Sequence, residues 1–406
     1  MFHSELPIDL DFTMLGLVAY VLAARCVLIL PENKGRTFLF MILNLSGVSL
    51  IYARQNLAIG RGLLSTGIGL LLYVLSVIAL YVLTSRLVFG RMWWLAATAP
   101  IAWLFLARHI PIQLYLRQEV GLAYMALRLS QLAAIVRNKV VPPPSFSEYL
   151  SFAFFLPTFM VGPISSYSTF KKSYSEADAY VTPPGRCAMR VLVGLAKYIF
   201  FGNIFNHLSY SGLILDGHLH PPVDLIVSAF AYYFYLYCNF SGFCDVAVGV
   251  AGLLGIKVSE NFDEPFTARN IREFWNRWHM TLYAFMKDMV FTPLSKSLVA
   301  LVPAAFAEHA VGAVIVVVFI LIGIWHGASM HYILFGAVHA LGVLCNYYYG
   351  LVLKKILTRE QMRRYNESPS VKLFATVVTL VFVAASFFVF ANDFPDMERI
   401  IRSIGF

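Results

Sequence analysis

Of ten histidines, two sit where imidazole chemistry could be put to use. His279 closes the run EFWNRWH, on what reads as the apolar face of a helix, between an indole and further hydrophobes. His326 ends the run VGAVIVVVFILIGIW and is followed by Gly327, Ala328 and Ser329, so an ionisable ring stands at the end of a strongly apolar helix beside small residues. Imidazole titrates near neutrality and can take the proton of a hydroxyl as it attacks, a service worth about 10²–10⁴ in rate. Each ring also has a plainer explanation. A lone histidine on an apolar face is more often a satisfied core residue, and one at a helix C-terminus complements the dipole. Against this, a titratable group at membrane depth is a functional hypothesis by default.

The rest of the chain narrows the chemistry. There is no GxSxG elbow, HExxH pair or glycine-rich phosphate loop, so serine hydrolysis, zinc proteolysis and P-loop hydrolysis have no support. Direct attack of an acceptor hydroxyl on an activated acyl group requires none of them. His331 and His339, eight residues apart, share one side of a helix, but no carboxylate or cysteine accompanies them; bis-histidine haem ligation with His326 is the redox alternative. Cys26, Cys187, Cys238, Cys244 and Cys345 lie in or beside apolar runs without CxxC spacing and read as small buried hydrophobes. No bound metal or tight cofactor is expected.

The elements around these histidines must bring polar groups to membrane depth. From Lys257 and Glu260 through Arg277 to Lys287 and Asp288 the chain is crowded with charge, so this segment cannot simply span lipid. Within it Trp275, Trp278, His279, Leu282, Phe285, Met286 and Met289 recur at helical spacing, which predicts one amphipathic helix at the interface or beside an aqueous cavity. Upstream, the stretch 112–136 is apolar but carries Arg117, Glu119, Arg128 and Gln131, which should face protein or water. The run Pro142-Pro143-Pro144 dictates a loop, and 150–164, with Pro157, Gly162 and Pro163, suits a short re-entrant segment.

Around these lie apolar stretches of bilayer length near 13–30, 38–53, 62–84, 91–107, 187–208, 222–240, 243–256, 311–326, 331–352 and 370–391. The chain is 59% hydrophobic and only 13% charged, with short polar breaks and no dividing linker. The fold class is therefore all-α: a polytopic integral membrane protein of about ten or eleven transmembrane helices, with 1–406 as a single membrane domain. Basic residues gather in short loops, so the net charge of +9 reads as topology facing anionic headgroups and not as nucleic-acid binding.

The stretch NFSGFCDVAVGVAGLLGIKVSENFDEPFTARNIREFWNRWHMTLYAFMKDMVFTPL (239–294), followed by GIWHGASMHYILFGAVHALG (323–342), resembles the membrane-bound O-acyltransferase family. The likeness is closest to its bacterial envelope branch, which includes the D-alanyl transfer protein of teichoic acids and the alginate O-acetylase. GLAYMALRLSQLA (121–133) and FLPTFMVGPISSYSTF (155–170) extend it over about 110–345. The resemblance implies a ring of helices with re-entrant and interfacial pieces around a central tunnel. His326 then corresponds to the catalytic histidine of WHG and His279 to the second histidine of RWH. Arg269, Trp275, Asn276, Arg277, Trp278 and Trp325 become candidates for substrate binding, with Asp245, Glu260 and Asn261 left to satisfy broken backbone ends.

The implied activity moves a short acyl group, D-alanyl or acetyl, from a thioester donor to a hydroxyl of an extracytoplasmic polymer, in a bacterial cytoplasmic (inner) membrane. The donor would be an acyl-CoA or a phosphopantetheine carrier protein docking on the cytoplasmic face, where Lys171, Lys172 or Lys287 could receive an acidic partner. Further partners implied are the bilayer, the envelope polymer and accessory envelope proteins. Where the alginate branch has a glycine-rich stretch such as GGNR after the RWH helix, this chain reads TPLSKSLVALVPAAF, which leans towards D-alanyl transfer and leaves acetyl transfer open. A transporter or flippase of a lipid-linked or polymeric substrate is the competing class, since interrupted helices and intramembrane charges also mark transport paths.

Overall fold

The computed structural model describes residues 10–58, 60, 62–109, 121–175 and 182–405. Among these the chain is helical throughout, with one isolated antiparallel bridge, Phe262 to Trp278, and no strand. In chain order the helices are α1 Leu10–Ile29, α2 Lys34–Ala58, α3 Leu63–Leu87, α4 Trp93–His109, α5 Leu122–Arg137, α6 Phe146–Ala153, α7 Tyr167–Ser175, α8 Pro184–Leu195 and α9 Gly202–His207. They continue as α10 Pro222–Leu253, α11 Ile271–Arg277, α12 Met280–Met286, α13 Thr292–Leu301, α14 Ala307–His326, α15 Met330–Ile356, α16 Arg359–Glu367, α17 Pro369–Ala391 and α18 Phe394–Ser403. Among the described residues, seven helical stretches are long and apolar enough to cross a membrane, and Leu15–Ile29 and Trp93–Ala107 are shorter apolar helices.

Three sequence expectations are redrawn. The stretches 222–240 and 243–256 form one helix of 32 residues, because nothing between them breaks a helix. At about 1.5 Å per residue it exceeds what a single crossing needs. The stretch 187–208 is interrupted by π-turns over Ala196–Phe201. The single amphipathic helix expected across Trp275 to Met289 is broken at His279 into α11 and α12.

The chain divides into two compact units. One comprises Phe2–Gly194 and Phe243–Ser259. Here Arg128, only 1% exposed, donates to Thr158 Oγ1 at 2.8 Å and to the Ala153 carbonyl at 3.0 Å, with its guanidinium over the Phe152 ring. The expected cost of this charge is thus offset by the irregular backbone of the segment 150–164, which needs donors of its own. Arg117 and Glu119 lie outside the described residues. After the proline loop, Ser145 and Glu148 form a capping box that starts α6, and Asn44 Oδ1 accepts from the Leu156 amide where α6 has ended. Asp245, on α10, accepts from Arg190 Nε at 3.0 Å, so it binds a cation of α8.

The other unit comprises Leu195–Gly242 and Glu260–Phe406 and carries both candidate histidines. Its helices α14 and α15 approach closely because glycines face backbone. A Cβ on Gly323 would lie 2.3 Å from the Tyr332 carbonyl oxygen, and one on Gly336 would lie 2.4 Å from that of Phe319. Neither backbone can yield without parting the helices. Gly336→Ala is therefore expected to destabilise by about 1–3 kcal/mol, read as a lower thermal midpoint in detergent. An unchanged midpoint would show that α14 and α15 separate freely.

Candidate active site

The site begins with a short pairing of extended chain. The Asp263 amide donates to the Arg277 carbonyl at 2.9 Å, and the Met280 amide to the Asn261 carbonyl at 2.9 Å. Between these bonds the chain turns through His279, whose φ of 45° and ψ of 48° lie in the left-handed region. For a residue with a Cβ that conformation costs about 1–2 kcal/mol and persists only where the surroundings fix it. They do so here. Asn261 Oδ1 lies at hydrogen-bond distance from His279 Nδ1, 3.0 Å, and accepts from the Thr281 amide at 3.2 Å and from Thr281 Oγ1 at 2.8 Å.

The turn throws successive side chains apart. Trp278 packs among Tyr233, Phe274 and Phe387. His279, 3% exposed, meets the edge of Phe240 at 4.7 Å and the Trp325 ring at 6.0 Å between centroids. Burial, and then the nearby His326, hold the His279 imidazole well below its ordinary titration range, so it is neutral at pH 7.

His326 ends α14 and is only partly buried, against Trp325 at 4.8 Å, Phe390 at 5.0 Å and Phe335 and Tyr332 at 6.2 Å. Gly327 follows in extended backbone, and a Cβ there would fall 2.5 Å from the Tyr332 ring. The glycine after the histidine lets that ring lie over the turn. Two imidazoles thus bracket one indole: a neutral, enclosed ring and a more accessible one.

Of the residues singled out in the sequence, the structure brings His279, Trp325 and His326 together. Trp275 lies elsewhere, its Nε1 donating to His339 Nδ1 at 3.2 Å. His339 Nε2 in turn meets Ser386 Oγ at 2.9 Å, while that hydroxyl donates to the Val383 carbonyl. Both ring nitrogens of His339 are therefore engaged in tying α11, α15 and α17. Arg277 is half-buried and pairs with Glu273 and Asp263, whereas Asn276 and Arg269 are exposed. Lys171 is held by Glu148 at 3.2 Å, and Lys172 and Lys287 are exposed.

Asn261, Phe240, Tyr332 and Phe390 were not among the expected site residues. Asn261 satisfies a broken helix end, as its position suggested, and also carries His279, a task that the ENF run alone does not reveal. Tyr332 stands six residues after His326, while Phe390 arrives from α17 with no local sequence signal. Among the described residues, no group of three His, Cys, Asp or Glu side chains could hold a metal ion.

The chain is 27% identical over 295 residues to a teichoic acid D-alanyltransferase of Streptococcus thermophilus, covering 68% of this chain and 69% of that protein. It is 29% identical over 250 residues to a peptidoglycan O-acetyltransferase of Helicobacter pylori, covering 59% and 45% respectively. To a probable alginate O-acetylase of Pseudomonas aeruginosa it is 24% identical over 224 residues, covering 55% and 41%. The sequence pattern of the membrane-bound O-acyltransferase family matches residues 62–390, which takes in both histidine turns and most of the chain. This multi-pass membrane protein is an acyltransferase and belongs to the membrane-bound O-acyltransferase family.

Proposed function

We propose that this acyltransferase moves a D-alanyl or acetyl group from a thioester donor to a hydroxyl of a cell-envelope polymer, with His326 as the general base. The observation that carries this reading is the pair of imidazoles on either side of Trp325. His326, the more accessible, takes the acceptor proton as the hydroxyl oxygen attacks the thioester carbonyl. Collapse of the resulting adduct breaks the carbon–sulfur bond and releases the thiol, which recovers the proton. His279, enclosed and neutral, positions a substrate group beside the reacting carbonyl. The names of the relatives support an envelope acceptor and a short acyl group, since teichoic acid, peptidoglycan and alginate are what those proteins are named for.

On this reading the protein works in the cytoplasmic membrane of a bacterium. A coenzyme A ester or a phosphopantetheine carrier protein delivers the acyl group from the cytoplasmic side, with exposed bases such as Lys172 and Lys287 available to an acidic partner. The test is chemical. Mild base should release more D-alanine or more acetate from envelopes of cells expressing the protein with its neighbouring genes than from cells lacking it. The acyl group released identifies which of the two is transferred, and equal release from the two kinds of cell would overturn the reading.

A further inference from the structure

The three bonds onto Asn261 settle which proton His279 carries. The Thr281 main-chain amide can only donate, so the Asn261 atom that faces it must be the carbonyl oxygen and not the amide nitrogen. That oxygen has no proton to give. The ring nitrogen 3.0 Å from it, Nδ1, must therefore be the protonated one, and in a neutral imidazole Nε2 is then the acceptor.

We infer that Asn261 is a positioning residue that locks His279 in the Nδ1–H form, so that His279 offers the substrate a lone pair at Nε2 and binds an N–H or O–H group, instead of polarising the acyl carbonyl. The inference rests on His279 being part of the active site proposed above. It assigns the ring a substrate chemistry: the amide of a pantetheine arm, the amine of a D-alanyl group or the acceptor hydroxyl could fill it, whereas a carbonyl oxygen could not. The same Asn261 oxygen fixes Thr281 at the start of α12, so ring orientation and left-handed turn share one support.

Phe240 meets His279 from α10, Trp325 and His326 from α14, and Asn261 from the 260–263 segment, where Glu260 is exposed. A carboxylate in place of the amide is thus the cleanest perturbation. Asn261→Asp keeps an acceptor oxygen for Thr281, so the turn should fold, but it adds a charge beside Nδ1–H.

The experiment is nitrogen-15 NMR of histidine-labelled, detergent-purified full-length protein, with His279→Asn used to assign the signal, together with the pH profile of acyl transfer. The wild-type ring should show Nδ1–H and a bare Nε2 at neutral pH. In Asn261→Asp its titration midpoint should rise by about 1–3 pH units, and the acid limb of transfer should rise with it. A wild-type Nε2–H signal, or a midpoint unmoved by the aspartate, would overturn the inference. Because the spectra need no turnover, the expected tautomer in a protein that transfers no acyl group would refute the proposed function and leave the lock standing.

Discussion

Replacement of His326 by Ala should abolish acyl transfer, by a factor of at least about 10²–10⁴, while leaving the chain folded. The rate loss is the contribution of a positioned base to hydroxyl attack. The folding loss is small because His326 is partly exposed and Tyr332, Phe335 and Phe390, on which it lies, remain packed on one another. Removing a half-buried ring from such a frame costs about 1 kcal/mol. His326→Gln keeps much of the volume and a hydrogen-bonding tip but cannot titrate, so it should be as inactive as the alanine variant. Purified proteins assayed with a thioester donor and a soluble acceptor, with thermal midpoints in parallel, decide the matter. Transfer by His326→Gln at a wild-type rate would assign the ring a packing role and remove it as the base.

How far the sequence foretold this site follows from the range over which each signal acts. The apolar stretches and proline loop are local, and their helices lie close to where they were expected. The break at His279 is not local. Helical spacing runs unbroken from Trp275 to Met289, and nothing within that window opposes a continuous helix. What opens it is a partner about eighteen residues upstream, where Asn261 supplies both main-chain and side-chain bonds to the turn. Trp275 shows the same limit. Its place on the expected apolar face is right, but its hydrogen bond to His339 sends it to the core side by a contact across 64 residues. The separation of Trp275 and Trp278 from His279 thus depends on one left-handed residue that sequence periodicity cannot register.

That residue yields the second large effect. His279→Asn should lower transfer by about 10²-fold with little change in stability, whereas His279→Ala should lose both transfer and about 2–4 kcal/mol of stability. Asparagine is among the few residues with a Cβ that tolerate left-handed backbone, and its amide can still donate towards Asn261; it merely lacks the imidazole lone pair. Alanine meets the backbone penalty undiminished, leaves a cavity between Phe240 and Trp325, and gives Asn261 no donor. Acidity adds a second signature. The folded ring holds its pKa well below the ordinary value, so between that depressed value and the unfolded one, near 6.5, the unfolded chain binds a proton that the folded chain refuses. Stability contributed by the neutral ring is therefore full above about pH 6.5 and declines as pH falls through this window, by up to about 1.4 kcal/mol per pH unit. His279→Asn removes that slope. Thermal midpoints of wild type and the asparagine variant should accordingly lie close together at neutral pH and separate as the solution is acidified, the wild type falling below the variant; parallel curves would mean that the buried ring takes up its proton without cost, and that His279 is not held neutral.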